Sequence, residues 1–98
     1  MNNLDIPLQP KKVSVSIEYC VPCDYSDYAL ASARELIKNY QHLINQFTFV
    51  MGSKGVFEVK VNGQVIFSKR TLGRHPQPGE LLQSFKELVG PGVRTYSE

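Results

Sequence analysis

Hydrophobic and polar residues alternate in two short stretches of the chain. Every second residue of 12–19 is apolar, which predicts a strand with one apolar face. Residues 56–61 alternate in the same way and end at Asn62-Gly63. Because Asn-Gly favours the backbone angles of a two-residue hairpin turn, Gln64–Ser68 is predicted to return as an antiparallel strand.

Two stretches instead place apolar residues three and four positions apart, the spacing of one helix face. The first is predicted at about 24–43, with Asp24 or Ser26 as its N-cap. Its apolar positions are Leu30, Ala33, Leu36, Ile37, Tyr40 and Ile44. The second follows Pro78 and stops at Gly90, with Leu81, Leu82, Phe85, Leu88 and Val89 on one face.

The apolar run 47–51 is rich in strand formers and completes the order β-α-β-β-β-α. This order predicts an α/β fold: a four-stranded mixed sheet with both helices on one face, as in the minimal thioredoxin-like core. The polar stretch 69–78, broken by glycine and proline, is predicted to be a loop. The link 52–55 has four residues, and so short a connection favours a hairpin. The predicted fold instead requires this link to carry the chain over the end of the first strand.

The composition describes one small domain of 98 residues, 42% hydrophobic, with a net charge of +2. We expect a flexible N-terminal arm at 1–11, a thioredoxin-like domain at 12–90 and a tail at 91–98. The mild charge and the lack of a basic cluster argue against a nucleic-acid partner. The polar N-terminus and the absence of a long apolar run argue against a membrane span and predict a cytoplasmic protein.

Both cysteines lie in the motif Cys20-Val21-Pro22-Cys23, where the first predicted strand meets the first helix. Two sulfurs so placed suit reversible disulfide chemistry, because the loop brings them close and helix N-terminal amides stabilise a thiolate. Two packed core cysteines are one alternative. A zinc site is another, but it would need His42, His75 or a second chain to complete four ligands. We therefore expect no metal and no cofactor.

Acidic residues surround this motif. Glu18, Asp24 and Asp27 disfavour a thiolate, and no lysine or arginine lies within several residues of the motif. The helix amides act in the opposite direction. We predict a reductant-type thiol that is not strongly acidic.

Four further residues are candidates for a substrate or partner rim beside the cysteines. Tyr25 and Tyr28 either form an exposed docking surface or cap the sheet edge. His75 either approaches the sulfurs as a proton donor or remains a solvated loop histidine. Pro76 invites comparison with the cis-proline that faces the active site of thioredoxins, although a trans bond is the expectation.

Four sequence segments together resemble the selenoprotein W (Rdx) family over residues 12–90. They are Tyr19-Cys20-x-x-Cys23, the stretch 55–63, Ile66-Phe67-Ser68-Lys69 and Gly73-x-x-Pro76. The resemblance is to cysteine-containing members of prokaryotic type. It implies a small thioredoxin-like fold and a cytoplasmic thiol redox role with glutathione or protein thiols.

Two positions depart from the family's pattern. Members with selenocysteine carry it at the position of Cys23, so the cysteine here puts peroxidase-like activity in doubt. His75 replaces a phenylalanine that is frequent in the family.

The function predicted from these features is that of a thiol-disulfide oxidoreductase. One thiolate attacks a substrate disulfide and the other cysteine resolves the mixed disulfide. By analogy with thioredoxin, Cys20 attacks from the exposed start of the loop, whereas the family resemblance assigns the attack to Cys23. The sequence slightly favours Cys20.

The alternative function is a redox-responsive protein-binding module without turnover. A homodimer formed through an exposed strand edge, or through the rim of Tyr25 and Tyr28, remains open.

Overall fold

The computed structural model describes residues 11–96, so the predicted arm lies outside the described residues except for Lys11. The strands are β1 (Val13–Cys20), β2 (Ile44–Gly52), β3 (Phe57–Val61) and β4 (Gln64–Ser68). The helices are α1 (Ser26–Tyr40), α2 (Lys69–Leu72) and α3 (Glu80–Val89). The predicted element order is confirmed, with the short helix α2 as an addition.

Helix α2 occupies part of the stretch that was predicted to be a loop. The Ser68 side chain accepts a hydrogen bond from the Thr71 N–H at 3.4 Å and so caps its start. Gly73 ends it in the left-handed conformation with φ 75°. A single turn carries no helical periodicity, so the hydrophobic pattern could not reveal it.

The sheet has the order β2-β1-β3-β4, which places β1 and β3 in the centre. β1 is parallel to β2 and antiparallel to β3, and β3 is antiparallel to β4. The predicted four-stranded mixed sheet is therefore confirmed. The chain makes its β3–β4 hairpin at Asn62 and Gly63, which both have positive φ (51° and 81°).

The short link between β2 and β3 does not form a hairpin. It carries the chain past the end of β1, so that β2 and β3 lie on opposite sides of that strand. Lys54 (φ 59°) and Gly55 (φ 76°) both have positive φ, which makes the turn tight enough for four residues to cross the end of β1. The main chain of the link is tied to β1 because the Cys20 N–H donates to the Val56 carbonyl at 2.9 Å.

The core lies between one face of the sheet and the helices α1 and α3. Alternate residues of β1 and β3 are buried on this face, as the period of two requires. They pack with buried residues of both helices in one cluster that includes Ile17, Leu36, Phe57, Val59, Leu81 and Phe85. The opposite face is polar and carries Ser14, Ser16, Glu18, Glu58 and Lys60.

Helix α1 is shorter than the predicted 24–43 and is followed by a 3-10 turn at Gln41–Leu43. The predicted side-chain cap is wrong: Tyr25 is the N-cap and makes no side-chain cap hydrogen bond. Instead, the Ser26 hydroxyl donates to Asp24 Oδ1 at 2.8 Å. No helix in the part of the chain that is described is long and apolar enough to cross a membrane.

The described part of the predicted tail packs back onto the end of α1. The Tyr96 N–H donates to the Asn39 carbonyl at 2.7 Å. His42 Nε2 lies 3.0 Å from the Arg94 carbonyl. His42 is thereby held by the tail and by the aromatic rings of Tyr40 and Tyr96.

Candidate functional site

The two cysteines form a disulfide at the junction of β1 and α1. Cys20 is the last residue of β1 and Cys23 lies in the following turn, with their Cα atoms 5.3 Å apart. The Asp24 N–H donates to the Val21 carbonyl at 2.9 Å, and the Tyr25 N–H donates to the Cys20 carbonyl at 3.2 Å. These bonds fold the loop into a compact turn before the helix begins.

The two cysteine residues differ in their access to solvent. Cys20 is 0% exposed, between β2 and β3 at the end of the central strand. Cys23 is exposed, as are Val21 and Pro22. The expectation that Cys20 lies at an exposed start of the loop is therefore wrong, because the strand continues through Cys20 and its neighbours cover it.

One backbone amide connects the two cysteines directly. The N–H of Cys23 donates to the Sγ of Cys20 at 3.3 Å. Hydrogen bonds to a charged form stabilise that form. This amide is therefore placed to stabilise a thiolate on Cys20 when the disulfide opens.

The charges near the loop include one cation that the local sequence did not show. Asp27 lies exposed in the first turn of α1, and Asp24 is held by Ser26. Lys69, distant in sequence, places its Nζ 5.6 Å from the centroid of the Tyr25 ring. Lys69 directly follows β4, so the β3–β4 hairpin places it near Tyr25 only when the chain is folded.

Three of the four predicted rim residues meet in one place. His75 stacks on Tyr28, with ring centroids 3.6 Å apart and planes within 3°. It also meets Tyr25 edge-on at 4.4 Å and Phe57 at 5.1 Å. We call Tyr25, Tyr28, Phe57 and His75 the aromatic cluster. It adjoins the disulfide loop, since Tyr25 ends that loop and Phe57 pairs with Tyr19 across the sheet.

His75 is half-buried in this cluster, so the expectation of a solvated loop histidine is wrong. Its Nδ1 atom is buried and has no hydrogen-bond partner within the described residues. Burial lowers the pKa of His75 below its ordinary value, and the nearby positive charge of Lys69 lowers it further. Among residues 11–96, no hydrogen bond joins His75 to either sulfur.

Pro76 has a different environment from the other three rim residues. None of the described peptide bonds is cis, so Pro76 is trans. It lines a shallow hollow of about 220 Å³ together with residues of α1 and the start of α3. The backbone that is hydrogen-bonded to the cysteine loop comes from Gly52 and Val56 instead.

The loop that presents His75 is fixed by Glu80 at the start of α3. Arg74 donates two hydrogen bonds to the Glu80 carboxylate, at 2.7 and 2.9 Å. The Gln77 N–H donates to the same carboxylate at 3.0 Å. These donors, Arg74 above all, lower the pKa of Glu80 to about 2. This Arg74–Glu80 clamp could not be predicted from the sequence, because nothing in the local pattern shows that the loop folds back on the helix.

The residues proposed for a zinc site do not come together. His42 lies with the tail near the end of α1, and His75 lies in the aromatic cluster. Within residues 11–96 there is no group of three or more histidines, cysteines or acidic residues that could hold a metal ion. The cysteine pair thus has no further metal ligands among the described residues.

A mixed sheet of order β2-β1-β3-β4 with a Cys-x-x-Cys loop between β1 and α1 defines a thioredoxin-like protein. The sequence pattern of the Rdx family matches residues 14–87. The chain belongs to the Rdx family. Membership and the disulfide together indicate a redox role.

Known relatives agree with this assignment. The chain is 30% identical over 74 residues to migration and invasion enhancer 1 of Bos taurus, and equally to that of Mus musculus. The match covers 76% of this chain and 63% of each relative, so the chain spans less than two thirds of their length.

Solved bacterial structures share the fold. A selenoprotein W-related protein from Vibrio cholerae superimposes with a TM-score of 0.77 at 24% identity, over 82% of this chain and 100% of that one. A protein from Bordetella parapertussis gives a TM-score of 0.74 at 25% identity, over 82% and 99% of the two chains.

Proposed function

We propose that the protein carries out thiol-disulfide exchange through Cys20 and Cys23, with protein thiols or glutathione as partners in the cytoplasm. The observation that carries this proposal is the disulfide itself, which joins one buried sulfur to one on an exposed residue at a strand-to-helix junction. Such junctions suit redox cysteines, since the turn brings the sulfurs together and the following amides stabilise negative charge. Membership of the Rdx family supports the same role.

The chemistry takes place in two exchange steps. The Cys23 thiolate attacks one sulfur of a partner disulfide, and the partner's other sulfur leaves as a thiolate. The Cys20 thiolate then attacks Cys23 Sγ, so that the Cys20–Cys23 disulfide forms and the second partner thiolate leaves. Two electrons pass from the cysteine pair to the partner, whose two thiolates take up protons. The reverse sequence oxidises a partner dithiol.

The exposure of the cysteines supports Cys23 as the attacking residue. A partner sulfur must approach in line with the bond that breaks, and Cys20 is 0% exposed. The hydrogen bond that the Cys23 N–H donates to Cys20 Sγ suits a resolving thiol, because it stabilises a thiolate on Cys20, which then attacks Cys23. The same bond stabilises Cys20 as the leaving group in the oxidising direction.

A partner is proposed to contact the rim of Tyr25, Tyr28, His75 and Pro76 while the sulfurs react. Tyr28 is 48% exposed and its ring is held flat against His75, so it offers a rigid aromatic surface. Rigid aromatic side chains contribute contact area at a low cost in conformational entropy. The Arg74–Glu80 clamp holds His75 and Pro76 in position.

Trapping of mixed disulfides tests the assignment of the two cysteines. Cys20→Ser leaves Cys23 without its resolving partner, so this variant should accumulate covalent adducts on Cys23 when mixed with oxidised glutathione. Cys23→Ser should accumulate far fewer, because Cys20 is buried. Intact-mass spectrometry before and after dithiothreitol measures both. Faster adduct formation on Cys20 would reverse the roles, and no adduct in either variant would refute exchange.

The second candidate function is a redox-responsive binding module without turnover. The aromatic cluster favours it, because a partly exposed aromatic surface adjoins a disulfide whose opening would free the loop. Activity assays separate the two functions. A protein that reduces neither insulin nor a glutathione mixed disulfide, yet captures a partner in only one redox state, would be such a module.

A further inference from the structure

Strand β2 is an edge strand that carries neither a charge nor a proline. Within residues 11–96 its one strand neighbour is β1. Its nine residues, Ile44–Gly52, include no charged residue and no proline. Natural edge strands are commonly blunted by charges, prolines, bulges or short length, because a free edge pairs with other chains. The opposite edge, β4, has only five residues.

The apolar character of β2 is concentrated at the end beside the disulfide. Phe49, Val50 and Met51 are exposed there, and Val21 of the cysteine loop is exposed next to them. The other end carries polar residues and a register irregularity opposite Val13 and Ser14. The apolar half of the edge, where the register with β1 is regular, thus lies at the end of the sheet that leads into the cysteine loop.

This half of the strand is continuous with the redox loop. Cys20 pairs with Gly52, and the Val21 N–H donates to the Gly52 carbonyl at 3.0 Å. The Cα of Cys23 lies 5.3 Å from that of Cys20. A chain laid along β2 would lie about 5 Å from that strand and would end beside Gly52 and Val21, which lead into the turn of Cys23.

The exposed side chains project from both faces of the strand. Phe49 and Met51 pair with Ile17 and Tyr19, so they lie on the helix-covered face, whereas Val50 lies on the polar face. An added strand also directs alternate side chains to opposite faces and would meet apolar contacts on each.

The uneven distribution of apolar residues along β2 argues against full-length pairing of this strand with a second copy of the chain. Two β2 strands paired antiparallel over their full length about a two-fold axis would set the apolar end of each against the polar end of the other. A foreign segment has no such constraint and can match the apolar half alone. The absence of charge on β2 favours a segment that is itself uncharged.

We propose that β2 binds an extended, uncharged, apolar segment of a protein substrate as a fifth strand and so delivers that substrate's cysteine to Cys23. This inference rests on the proposed exchange function and names its substrate class. The substrate is a cysteine within a β-forming protein segment, in preference to glutathione. Main-chain hydrogen bonds supply the affinity and the alternate apolar contacts supply the selectivity.

The test compares two disulfides that share one chromophoric leaving group. One is a peptide of about ten uncharged residues whose cysteine carries thionitrobenzoate, and the other is glutathione carrying the same group. The reduced full-length protein should react with the peptide about tenfold faster, equivalent to about 1.4 kcal/mol. A twin peptide with alternate amides N-methylated cannot pair with β2 and should lose this advantage.

Matched variants locate the binding edge. Val50→Lys places a charge on β2, and Val65→Lys places one at a similarly exposed valine on β4 (42% and 46% exposed). The ratio of the peptide rate constant to the glutathione rate constant should fall about tenfold in Val50→Lys. It should stay within about twofold of the wild-type ratio in Val65→Lys. Equal ratios in both variants would overturn the inference.

Binding without reaction is measured by amide chemical shifts with a peptide whose cysteine is replaced by serine. Shifts along Ile44–Gly52 that the N-methylated twin does not cause support docking, even if the protein exchanges with no disulfide and the proposed function fails. Exchange that proceeds equally with both peptides, with shifts elsewhere, overturns docking and leaves the proposed function standing. Two further outcomes would also overturn substrate docking. Amide shifts in β2 that change with protein concentration alone would mean that a second copy of the chain binds this edge. Peptide binding that requires the removal of residues 1–10 would mean that the chain's own N-terminal segment binds it.

Discussion

The imidazole ring of His75 lies flat against the phenol ring of Tyr28, with centroids 3.6 Å apart and an interplanar angle of 3°. Tyr25 and Phe57 close the other sides of the imidazole edge-on. An imidazolium ion formed here would lose part of its hydration and face the charge of Lys69. The neutral ring is therefore the form that the folded protein favours.

Acid should weaken the fold through His75. Because burial and Lys69 lower the pKa of His75 below its ordinary 6.5 in the folded protein, the unfolded chain binds this proton more readily. Its contribution to stability is present above about pH 6.5 and is lost as the pH falls below it. Urea denaturation at about pH 7.5 and about pH 5 measures the change in the free energy of unfolding.

His75→Phe should lose this part of the pH dependence and keep an aromatic ring in the cluster. His42→Phe, which changes the histidine beside the tail, is the control and should keep the dependence. An unchanged slope in His75→Phe would show that another group titrates.

The carboxylate of Glu80 should matter at lower pH. Its pKa is lowered from 4.5 to about 2, by Arg74 first and then by the Gln77 amide. This stabilisation is therefore present above about pH 4.5 and lost as the pH falls towards 2. Glu80→Gln should flatten the stability curve in that range, with a small effect at neutral pH because the ion pair is exposed.

Hydrogen exchange gives a local measure of the same clamp. The Gln77 amide donates to Glu80 and should exchange faster in Glu80→Gln. Glu87→Gln is the matched control, since Glu87 accepts a hydrogen bond from Gln83 one turn away on the same helix. Equal protection of Gln77 in both variants would mean that the loop does not depend on Glu80.

Gly52→Ala should disturb the junction between β2 and the cysteine loop. A Cβ at this position would lie 2.7 Å from Val56 Cγ1 and 2.9 Å from Glu18 Oε2. We expect a loss of about 1–3 kcal/mol in the free energy of unfolding, as for other overpacked sites. Gly92→Ala meets nothing within 4 Å and should cost far less. Similar denaturation midpoints for the two variants would contradict this.

Phe85 should be among the most sensitive core positions. It is fully buried and its ring centroid lies 4.7 Å from that of Tyr40, so it joins α3 to α1. Phe85→Ala should lower the free energy of unfolding by about 3–5 kcal/mol. Leu88→Ala, at a residue of the same helix that is 36% exposed, should cost clearly less. Chemical denaturation of both variants checks the difference.

The elements that depend on local pattern could be predicted from the sequence. The alternation in β1 and β3, the spacing in α1 and α3 and the Asn62-Gly63 turn each act within a few residues. The pairing of the strands followed from their order along the chain, with one exception. The short link 52–55 favoured a hairpin between β2 and β3, whereas β2 pairs with β1. Positive φ at Lys54 and Gly55 resolves that conflict and could not be read from the pattern.

The site was harder to predict because its properties come from distant residues. Cys20 is buried through its neighbours on β2 and β3, more than thirty residues away, whereas the motif alone suggested an exposed sulfur. The environment of His75 is built by Tyr25, Tyr28 and Phe57 from other parts of the chain. Local sequence could name these residues as candidates but could not place them together.

The link between β2 and β3 is hydrogen-bonded to the redox loop through main-chain atoms. The Gly52 and Val56 carbonyls hold the amides of Val21 and Cys20, and the side chains of Ser53 and Lys54 take no part in these bonds. Substitutions at 53 and 54 that tolerate the turn should therefore leave the sulfurs in place. Inserting or deleting one residue would move one carbonyl away from its amide, so the length of this segment is constrained where its composition is not.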